Sequence, residues 1–413
     1  MARIAIVGSG ISGLSCADIL LGKHDVVVFE SAHRAGGHAR SMSVDGVAVD
    51  TGFIVYNEVN YPLLTRFFAS LGVMTKPSDM SFGFHSAGGE LEYAAGSIRG
   101  LLAQPKNLLS PAYWSMLRDI WRFFRVAPSV LQSSSDPTLK ELLYDMAFGK
   151  PFRDNFLIPM GAAIWSTPPG QMLAFPAKTF IRFFQNHGLL SVTGHHPWRT
   201  VAGGSETYVA KITDRLGARL RLSSPVDSVS ASNGGLIVRT AAGALESFDD
   251  VIFACHADEA LRLLRDATDD ERSVLSAFAF QNNTAVLHTD ERLMPRAKRA
   301  WASWNYSAPE IGEPGPVSLT YWMNRLQSLP GPNIFVTLNP QREISPSLVR
   351  DIHVFRHPVF SHATLAAQQR IGSIQGRRNV WFCGAWQRYG FHEDGIWSAH
   401  RVARELGGTP SWA

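Results

Sequence analysis

Three glycines near the start of the chain, Gly8, Gly10 and Gly13, have the spacing of a phosphate-binding turn. The first glycine of such a turn permits the sharp bend, and the second lets a pyrophosphate approach the backbone. The third lets the following helix pack close to the preceding strand. Glu30 lies 22 residues after Gly8, where a carboxylate would accept hydrogen bonds from an adenosine ribose. These residue types and spacings predict dinucleotide binding.

The segments around the glycines supply the elements that such a site needs. Residues 3–7 (RIAIV) and 25–29 (DVVVF) are typical of buried parallel strands, and residues 11–21 are predicted to form the helix between them. The first N–H groups of that helix, at Ile11 and Ser12, would face the phosphates. Glycine-rich turns are common, so the strand before the turn and the helix after it are what favour a dinucleotide. They do not distinguish NAD from FAD.

A second glycine pair follows in the segment 30–40, which has the pattern ExxxRxGGHxR, and residues 50–52 then read DTG. This combination resembles the flavin-binding segment of the amine oxidase, phytoene desaturase and protoporphyrinogen oxidase superfamily, whose members hold FAD permanently. The resemblance implies cofactor contacts at Ser31, Arg34, Gly36, Gly37, His38, Thr51, Gly52 and Phe53.

The C-terminal region repeats the strand–glycine–helix arrangement. Residues 380–384 (VWFCG) predict a strand, and a turn then leads to a terminal helix predicted over 397–406. Such a junction can again bind an anion or a ring oxygen. In the resembled superfamily this turn contacts the ribityl chain, the pyrophosphate and the flavin ring, which implies FAD contacts at Gly384, Ala385, Glu393, Asp394, Gly395 and Ile396. The backbone of Val226 is likewise implied to contact the adenine. FAD is therefore the predicted cofactor.

A narrower resemblance extends over nearly the whole chain. The stretches GGHARS, DTGFIVYNEVNYPLL and GAWQRYGFHEDGIWSA are similar to those of bacterial flavoproteins associated with cyclopropane fatty-acid synthase-like methyltransferases. That group includes the dehydrogenase of furan fatty acid biosynthesis. The resemblance implies oxidation of a methylated or unsaturated acyl chain carried on a membrane phospholipid.

The resemblance also sets the expected fold class, α/β combined with α+β. A Rossmann-type (GR2-like) FAD-binding domain would comprise residues 1–75, 200–275 and 372–413. An amine-oxidase-like substrate domain of helices and antiparallel sheet would be inserted at 76–199 and 276–371. The strands predicted for that sheet are 284–288, 301–307, 317–323 and 333–338.

Residues 97–131 combine aromatic and basic side chains with a single acid, Asp119. A helix is predicted to begin after Ser110, with one apolar face formed by Tyr113, Leu117, Ile120, Trp121 and Phe124. The opposite face would carry Ser115, Arg118, Asp119, Arg122 and Arg125. Two interpretations stay open: an ordinary surface helix of the substrate domain, or an interfacial helix that contacts a membrane.

The chemistry implied by this resemblance is hydride transfer from an activated C–H to flavin N5, with loss of a neighbouring proton. No acid or base identifies itself by its surroundings in the sequence, and the residues to test first are His392, Glu393, Tyr56 and Asn57. Glu393 and Asp394 could instead only cap the last helix. The predicted substrate pocket consists of Trp165, Phe180, Phe184, His187, Trp198 and Tyr389.

Other functions remain compatible with the sequence. An amine oxidase would need an aromatic cage, which Trp165, Trp198, Trp386 and Tyr389 could form. A carotenoid or squalene desaturase would use an apolar tunnel like that of an acyl dehydrogenase. A flavin-binding protein without turnover is a further alternative, since no base stands out.

Composition restricts the class of protein. The chain has 413 residues, 45% hydrophobic and 18% charged, which is typical of a globular protein of two or three domains. A net charge of +4 gives no reason to expect nucleic acid. The three cysteines lie far apart, so neither disulfides nor a metal cluster is expected. No metal is expected either at the closely spaced histidines His187, His195 and His196.

The expected location follows from two absences in the sequence. The first strand begins at residue 3, which leaves no room for a signal peptide, and no run of about 18 uncharged apolar residues occurs. We therefore expect a cytoplasmic protein that acts on a lipid or other apolar small molecule. Peripheral contact with the inner face of the membrane is part of this expectation.

Overall fold

The computed structural model describes residues 1–191, 194, 196–309 and 315–412. Its strands are β1 (Arg3–Val7), β2 (Asp25–Phe29), β3 (Ser41–Val44), β4 (Val47–Asp50), β5 (Tyr56–Asn57), β6 (Thr75–Ser78), β7 (Phe82–His85), β8 (Glu92–Ala94), β9 (Trp198–Val201), β10 (Leu220–Arg221), β11 (Val226–Ser232), β12 (Gly235–Thr240), β13 (Leu245–Phe248), β14 (Asp250–Phe253), β15 (Ala279–His288), β16 (Trp304–Ser307), β17 (Ser318–Trp322), β18 (Phe335–Leu338), β19 (Val349–Val359) and β20 (Val380–Phe382).

The α-helices are α1 (Ile11–Leu20), α2 (Pro62–Ser70), α3 (Ile98–Leu101), α4 (Pro111–Val130), α5 (Leu139–Asp145), α6 (Lys150–Phe152), α7 (Ile158–Trp165), α8 (Pro169–Met172), α9 (Ala177–Asn186), α10 (Glu206–Leu216), α11 (Ala257–Leu263), α12 (Asp269–Leu275), α13 (Met323–Leu326), α14 (His362–Arg370) and α15 (His392–Glu405). Within the described ranges, no helix is both long and apolar enough to cross a bilayer.

A parallel five-stranded sheet, in the order β10-β2-β1-β14-β20, carries the glycine turn. Its strands come from distant parts of the chain, so the N- and C-terminal flavin motifs lie at the same edge of one sheet, with β14 between β1 and β20. The central strands are buried apolar runs, as expected for a sheet covered on both faces. Helices α1 and α15 pack against each other beside this sheet. The arrangement agrees with the predicted Rossmann-type unit.

A seven-stranded sheet, in the order β19-β15-β18-β17-β16-β7-β8, forms the second layer system. Its strand pairs are antiparallel except β7 with β16, which run parallel. These two strands lie far apart in the sequence. The longest strand, β19, was not predicted, since its sequence VRDIHVFRHPV interrupts apolar residues with charges and a proline. Helices α4, α7 and α9 contribute with this sheet to one large apolar core. The predicted domain boundaries stay a prediction.

The predicted faces of α4 need correction. The helix begins after Ser110, whose hydroxyl accepts a hydrogen bond from the Tyr113 N–H, as predicted. The side chain of Asp119, however, is only 1% exposed, whereas Trp121 is 60% exposed. The reason is tertiary: the Asp119 carboxylate accepts a hydrogen bond from the Gly149 N–H at 2.9 Å and lies 3.6 Å from Arg122. The buried stripe is therefore rotated relative to the prediction.

The predicted start of the terminal helix at Trp397 is also wrong, because α15 begins at His392. The Asp394 carboxylate accepts a hydrogen bond from the Phe391 N–H at 3.0 Å, which caps the first turn. Acidic residues in a first turn also interact favourably with the helix dipole. His392, Glu393 and Asp394 are thus helical rather than part of the preceding turn.

Candidate active site

The first glycine turn forms a tight cradle between β1 and α1. Gly8 has φ +107°, and its N–H donates to the Phe29 carbonyl at 2.8 Å. A Cβ on Gly13 would lie 1.9 Å from the Gly8 carbonyl oxygen, so only glycine lets the helix pack this closely. A Cβ on Gly10 would meet nothing within 4 Å. The open side of Gly10 is therefore the side available to a ligand.

The second glycine pair lies directly against the first. The Gly36 N–H donates to the Ser9 carbonyl at 2.9 Å. Gly37 has φ +56°, and a Cβ there would lie 3.1 Å from the Gly10 Cα. The two glycine turns, at residues 8–13 and 36–37, thus lie against each other in the structure. Together they leave the backbone open to a pyrophosphate.

Glu30 lies at the end of β2 beside this cradle. One of its carboxylate oxygens accepts hydrogen bonds from the Ser9 N–H at 2.9 Å and the Ser9 hydroxyl at 2.6 Å. The other accepts from the Ala32 N–H at 2.9 Å and the Ser31 hydroxyl at 3.2 Å. Since hydroxyl groups rotate, a ribose hydroxyl can replace a serine hydroxyl at this carboxylate.

A single cavity of about 1320 Å³ begins at the cradle and contains most of the predicted cofactor residues. Those that line it are Gly8, Gly10, Ile11, Ser12, Glu30, Ser31, Gly37, His38, Gly52, Phe53, Gly384 and Ala385. They come from both ends of the chain, and the cavity therefore joins the two motifs.

The remaining predicted cofactor residues lie behind the cavity wall. Gly13, Gly36 and Gly395 allow close packing of backbone; a Cβ on Gly395 would lie 2.7 Å from Ile11. Arg34 pairs with Glu206 at 2.6 Å instead of facing the cavity. Others outside the wall are Thr51, Val226, Asp394 and Ile396. Val226 follows a segment whose Ser224 N–H donates to the Glu30 carbonyl at 2.8 Å, close to the predicted adenine end.

Three of the four predicted catalytic residues do not line the cavity. The Glu393 carboxylate accepts hydrogen bonds from the N–H groups of Leu63 at 3.1 Å and Leu64 at 2.9 Å, and so caps α2. Burial raises its pKa, which those two hydrogen bonds oppose. Tyr56 and Asn57 form β5, where they are buried at the pairing with β9. The capping interpretation placed Glu393 on the last helix, whereas its carboxylate caps α2, and Asp394 is the residue that caps the last helix.

His392 is the predicted catalytic residue that does line the cavity. Its ring stacks on Phe53 with 3.7 Å between centroids, and its Nε2 lies 3.1 Å from the Tyr208 hydroxyl. Burial, and secondarily the nearby His38, lowers the pKa of His392 to about 3. The imidazole is therefore neutral at ordinary pH and is held in one orientation by two contacts.

Further neutral histidines surround the same part of the cavity. His38 is one of the predicted cofactor residues. The centroid of its ring lies 6.1 Å from that of His256 and 5.4 Å from that of His357. Burial is the main cause that lowers the pKa of His38 and His256 to about 4 and that of His357 to about 3. These groups offer hydrogen bonds without a net charge.

Protein stability should report the neutral state of His392. Its folded pKa of about 3 lies below the ordinary histidine value of 6.5, so unfolding takes up a proton between these values and stability falls as pH falls through that window. A His392→Asn variant should show a smaller slope of unfolding free energy against pH, by up to about 1.4 kcal/mol per pH unit. Chemical denaturation between pH 4 and pH 6 would measure it, and identical slopes would contradict the assignment.

The aromatic residues predicted for the substrate form the next section of the cavity. Trp165, His187, Trp198 and Tyr389 line it, whereas Phe180 and Phe184 do not. The latter two stack on each other at 4.3 Å, and the Phe180 ring lies 5.7 Å from that of Trp165. Burial lowers the pKa of His187 to about 4, so this section also carries no histidine charge.

Ring contacts connect Phe391 to this aromatic section. Phe183 lies 5.1 Å from Phe391, the neighbour of His392, and 4.8 Å from Trp165. Further along the cavity, Trp304 lies 5.1 Å from Tyr321. Trp304 and Tyr321 were not among the residues predicted for the substrate pocket, although both lie in predicted strands.

The cavity reaches the surface at a basic mouth. The exposed residues Arg99, Lys298, Arg299 and Arg325 all line it. Arg325 pairs with Asp79 at 3.1 Å, and Lys298 lies 3.9 Å from Glu291. Neither Arg99 nor Arg299 has an acidic partner among the residues that the structure describes. The mouth is therefore suited to an anionic group.

Two sequence expectations concern other chemistry. In the part of the chain that is described, no group of three or more histidine, cysteine, aspartate or glutamate residues could hold a metal ion. His195, one of the three clustered histidines, lies outside the described residues. Sequence reasoning missed His256, which lines the cavity, and Tyr208, which contacts His392, because neither carries a local motif and only the fold brings them there.

The site therefore fits FAD: two converging glycine turns leave open space at Gly10, Glu30 stands beside it, and one cavity joins both flavin motifs. This fold and site define a dinucleotide-binding flavoprotein. The sequence model described as "Flavin containing amine oxidoreductase" matches residues 11–328. The chain belongs to that family, which makes FAD its cofactor and places it among the oxidoreductases.

Individual relatives are more distant. The "Putative flavin-containing monoamine oxidase AofH" of Mycobacterium tuberculosis is 25% identical over 255 residues, which cover 59% of this chain and 55% of that protein. Amine oxidase [flavin-containing] A of Canis lupus familiaris is 24% identical over 258 residues, covering 58% and 47%. The chain thus spans about half the length of the curated relatives it matches.

Solved structures match over almost the whole chain. A CLA-producing fatty acid isomerase from P. acnes has a TM-score of 0.69 at 16% identity, with 98% of both chains covered. Wild-type putrescine oxidase bound to putrescine gives the same values. At this identity the likeness shows the fold alone, and it confirms the predicted amine-oxidase-like fold class.

Proposed function

We propose that the protein dehydrogenates an acyl chain of a membrane phospholipid. The observation that carries this proposal is the continuous cavity from the FAD cradle, through an aromatic and apolar section, to the basic mouth. An extended hydrocarbon fits the apolar section, and an anionic headgroup fits beside Arg99 and Arg299. FAD, when bound, supplies the acceptor for the hydride.

The residues of the apolar section would orient the chain and exclude water. Trp165 and Trp304 each line the cavity, and their indole N–H groups have no hydrogen-bond partner within the described structure. Because these N–H groups are buried, the two residues would offer the substrate their apolar ring surfaces. The low pKa of His392 makes it a weak base, which does not favour a role in proton abstraction. Its role would be to hold the cavity wall next to Phe53.

A neutral small amine is the second candidate substrate. Trp165, Trp198 and Tyr389 line one section of the cavity, where they could hold an amine by its aromatic surroundings. The name of the mycobacterial relative supports this reading, whereas the fatty acid isomerase of the same fold supports the lipid. Trp386 also lines the cavity, but its N–H already donates to the Cys255 carbonyl at 3.1 Å.

The test is the identity of the reductant. Purified holoprotein would be mixed without oxygen with phospholipid vesicles or with primary amines, and flavin absorbance would be followed. We expect bleaching by a lipid with a suitable acyl chain. Bleaching by amines alone would favour the second candidate.

A further inference from the structure

We infer that one exposed face beside the cavity mouth docks on the surface of an anionic lipid bilayer, an inference that rests on the proposed function. The docking face is defined by the exposed residues Ile98, Leu109, Trp114, Arg118, Trp121 and Arg125. They belong to α3, the turn 105–109 and α4.

Helix α4 contributes a stripe of alternating tryptophan and arginine. Trp114, Arg118, Trp121 and Arg125 recur at i, i+4, i+7 and i+11, which places them on one side of the helix. Trp114 is 52% exposed, Trp121 60%, and the Arg118 side chain 70%. The Arg125 guanidinium carbon lies 4.4 Å from the centre of the Trp121 ring. Tryptophan and arginine are the side chains that suit the headgroup region of a bilayer.

The neighbouring segments extend this stripe with aliphatic side chains. Ile98 is 78% exposed and Leu109 is 87% exposed. Their backbone is held to α4, since the Tyr113 hydroxyl donates to the Leu101 carbonyl and the Trp114 indole to the Leu108 carbonyl, each at 2.8 Å. The protein therefore presents a group of neighbouring apolar side chains to solvent. Single exposed apolar residues are common on protein surfaces, whereas such a group indicates an interaction site.

Charge identifies the partner as an anionic surface. The segment 97–131 contains the cations Arg99, Lys106, Arg118, Arg122 and Arg125. Its single acid, Asp119, is buried and lies 3.5 Å from Arg118 and 3.6 Å from Arg122, so one negative charge stands against five positive ones. Arg122 is partly buried between Asp119 and the Phe148 ring, and the other four cations are the more exposed ones. A basic surface with exposed tryptophans is attracted to anionic lipid headgroups.

The docking face and the cavity mouth are continuous. Arg99 follows Ile98 in α3 and lines the cavity. Helix α3 packs against the turn 298–300, which carries the mouth residues Lys298 and Arg299. A bilayer seated on the docking face would therefore lie at the mouth, and an acyl chain could enter the cavity without crossing water.

Sedimentation with vesicles tests this inference on the holoprotein. We expect binding to vesicles of phosphatidylcholine and phosphatidylglycerol in equal parts, weaker binding at high salt, and little binding to phosphatidylcholine alone. The double variants Trp114→Ala with Trp121→Ala and Arg118→Glu with Arg125→Glu should each reduce the partition coefficient at least tenfold. All four residues are exposed, so FAD content should not change.

The charge-matched control is Arg219→Glu with Arg239→Glu, which changes two exposed arginines outside the docking face. It should bind the mixed vesicles like the parent protein. Equal binding of all variants, or absence of vesicle binding, would overturn the inference. So would a parent protein that self-associates through this face, shown by loss of self-association in the tryptophan variant. Turnover of a detergent-dispersed lipid separates the two proposals: it persists if only docking is wrong, whereas binding without dehydrogenation would contradict the function.

Discussion

Replacing Gly10 with valine should abolish FAD retention while the chain still folds. A Cβ at Gly10 meets no protein atom within 4 Å, so the substitution adds its atoms to the ligand space only. The backbone there has φ −69° and ψ −177°, which valine adopts without strain. A blocked pyrophosphate position should raise the Kd for FAD at least a hundredfold, about 2.7 kcal/mol. Flavin content after purification and titration of the apoprotein would measure it.

The control is the same substitution at Gly170, which is exposed in α8 and whose Cβ also meets nothing within 4 Å. Gly170→Val should keep its flavin. If Gly10→Val binds FAD as tightly as the parent, the cradle is misassigned. If neither variant folds, circular dichroism of the two will show the loss to be one of stability.

Replacing Ile164 with tryptophan should block the apolar section and reduce oxidation of long acyl chains. Ile164 is partly buried and lines the cavity next to Trp165 in α7, a helix that packs against β16, the strand of Trp304. A larger ring there would displace methylene groups of the substrate. Each displaced methylene costs about 0.8 kcal/mol, so displacing two should lower kcat/KM roughly tenfold. Steady-state kinetics over a series of chain lengths would measure the effect.

The matched control is Ile352→Trp, at a residue that is 61% exposed on β19 and outside the cavity wall. It should leave kcat/KM unchanged. FAD content should stay the same in both variants, since Ile164 lies beyond the flavin cradle. An Ile164→Trp enzyme that keeps full activity on the longest chain would contradict passage of the substrate through this section.

Local motifs made the cradle predictable from the sequence. Gly8, Gly10 and Gly13 act through their own backbone, and β1 and α1 follow from neighbouring residues. The N-terminal and C-terminal motifs together predicted FAD, which family membership confirms. Fold class was predictable for the same reason, because the family resemblance covers both halves of the cofactor site.

The rest of the site depends on tertiary contacts that no local pattern contains. Glu393 looked catalytic in the sequence, but its carboxylate caps α2 through Leu63 and Leu64. Asp119 looked solvated, yet it is buried by its hydrogen bond to Gly149. The basic mouth likewise combines Arg99 with Lys298, which lie almost two hundred residues apart in the sequence.

The most direct test of the account is anaerobic reduction of the bound flavin in a stopped-flow spectrophotometer. We predict that phospholipid bearing an oxidisable acyl chain bleaches the flavin of the parent protein. The Ile164→Trp variant should bleach roughly tenfold more slowly, and the Ile352→Trp variant at the parent rate. The bleached sample should contain acyl chains that have lost two hydrogen atoms. Rapid bleaching by primary amines, with none by any phospholipid, would contradict it.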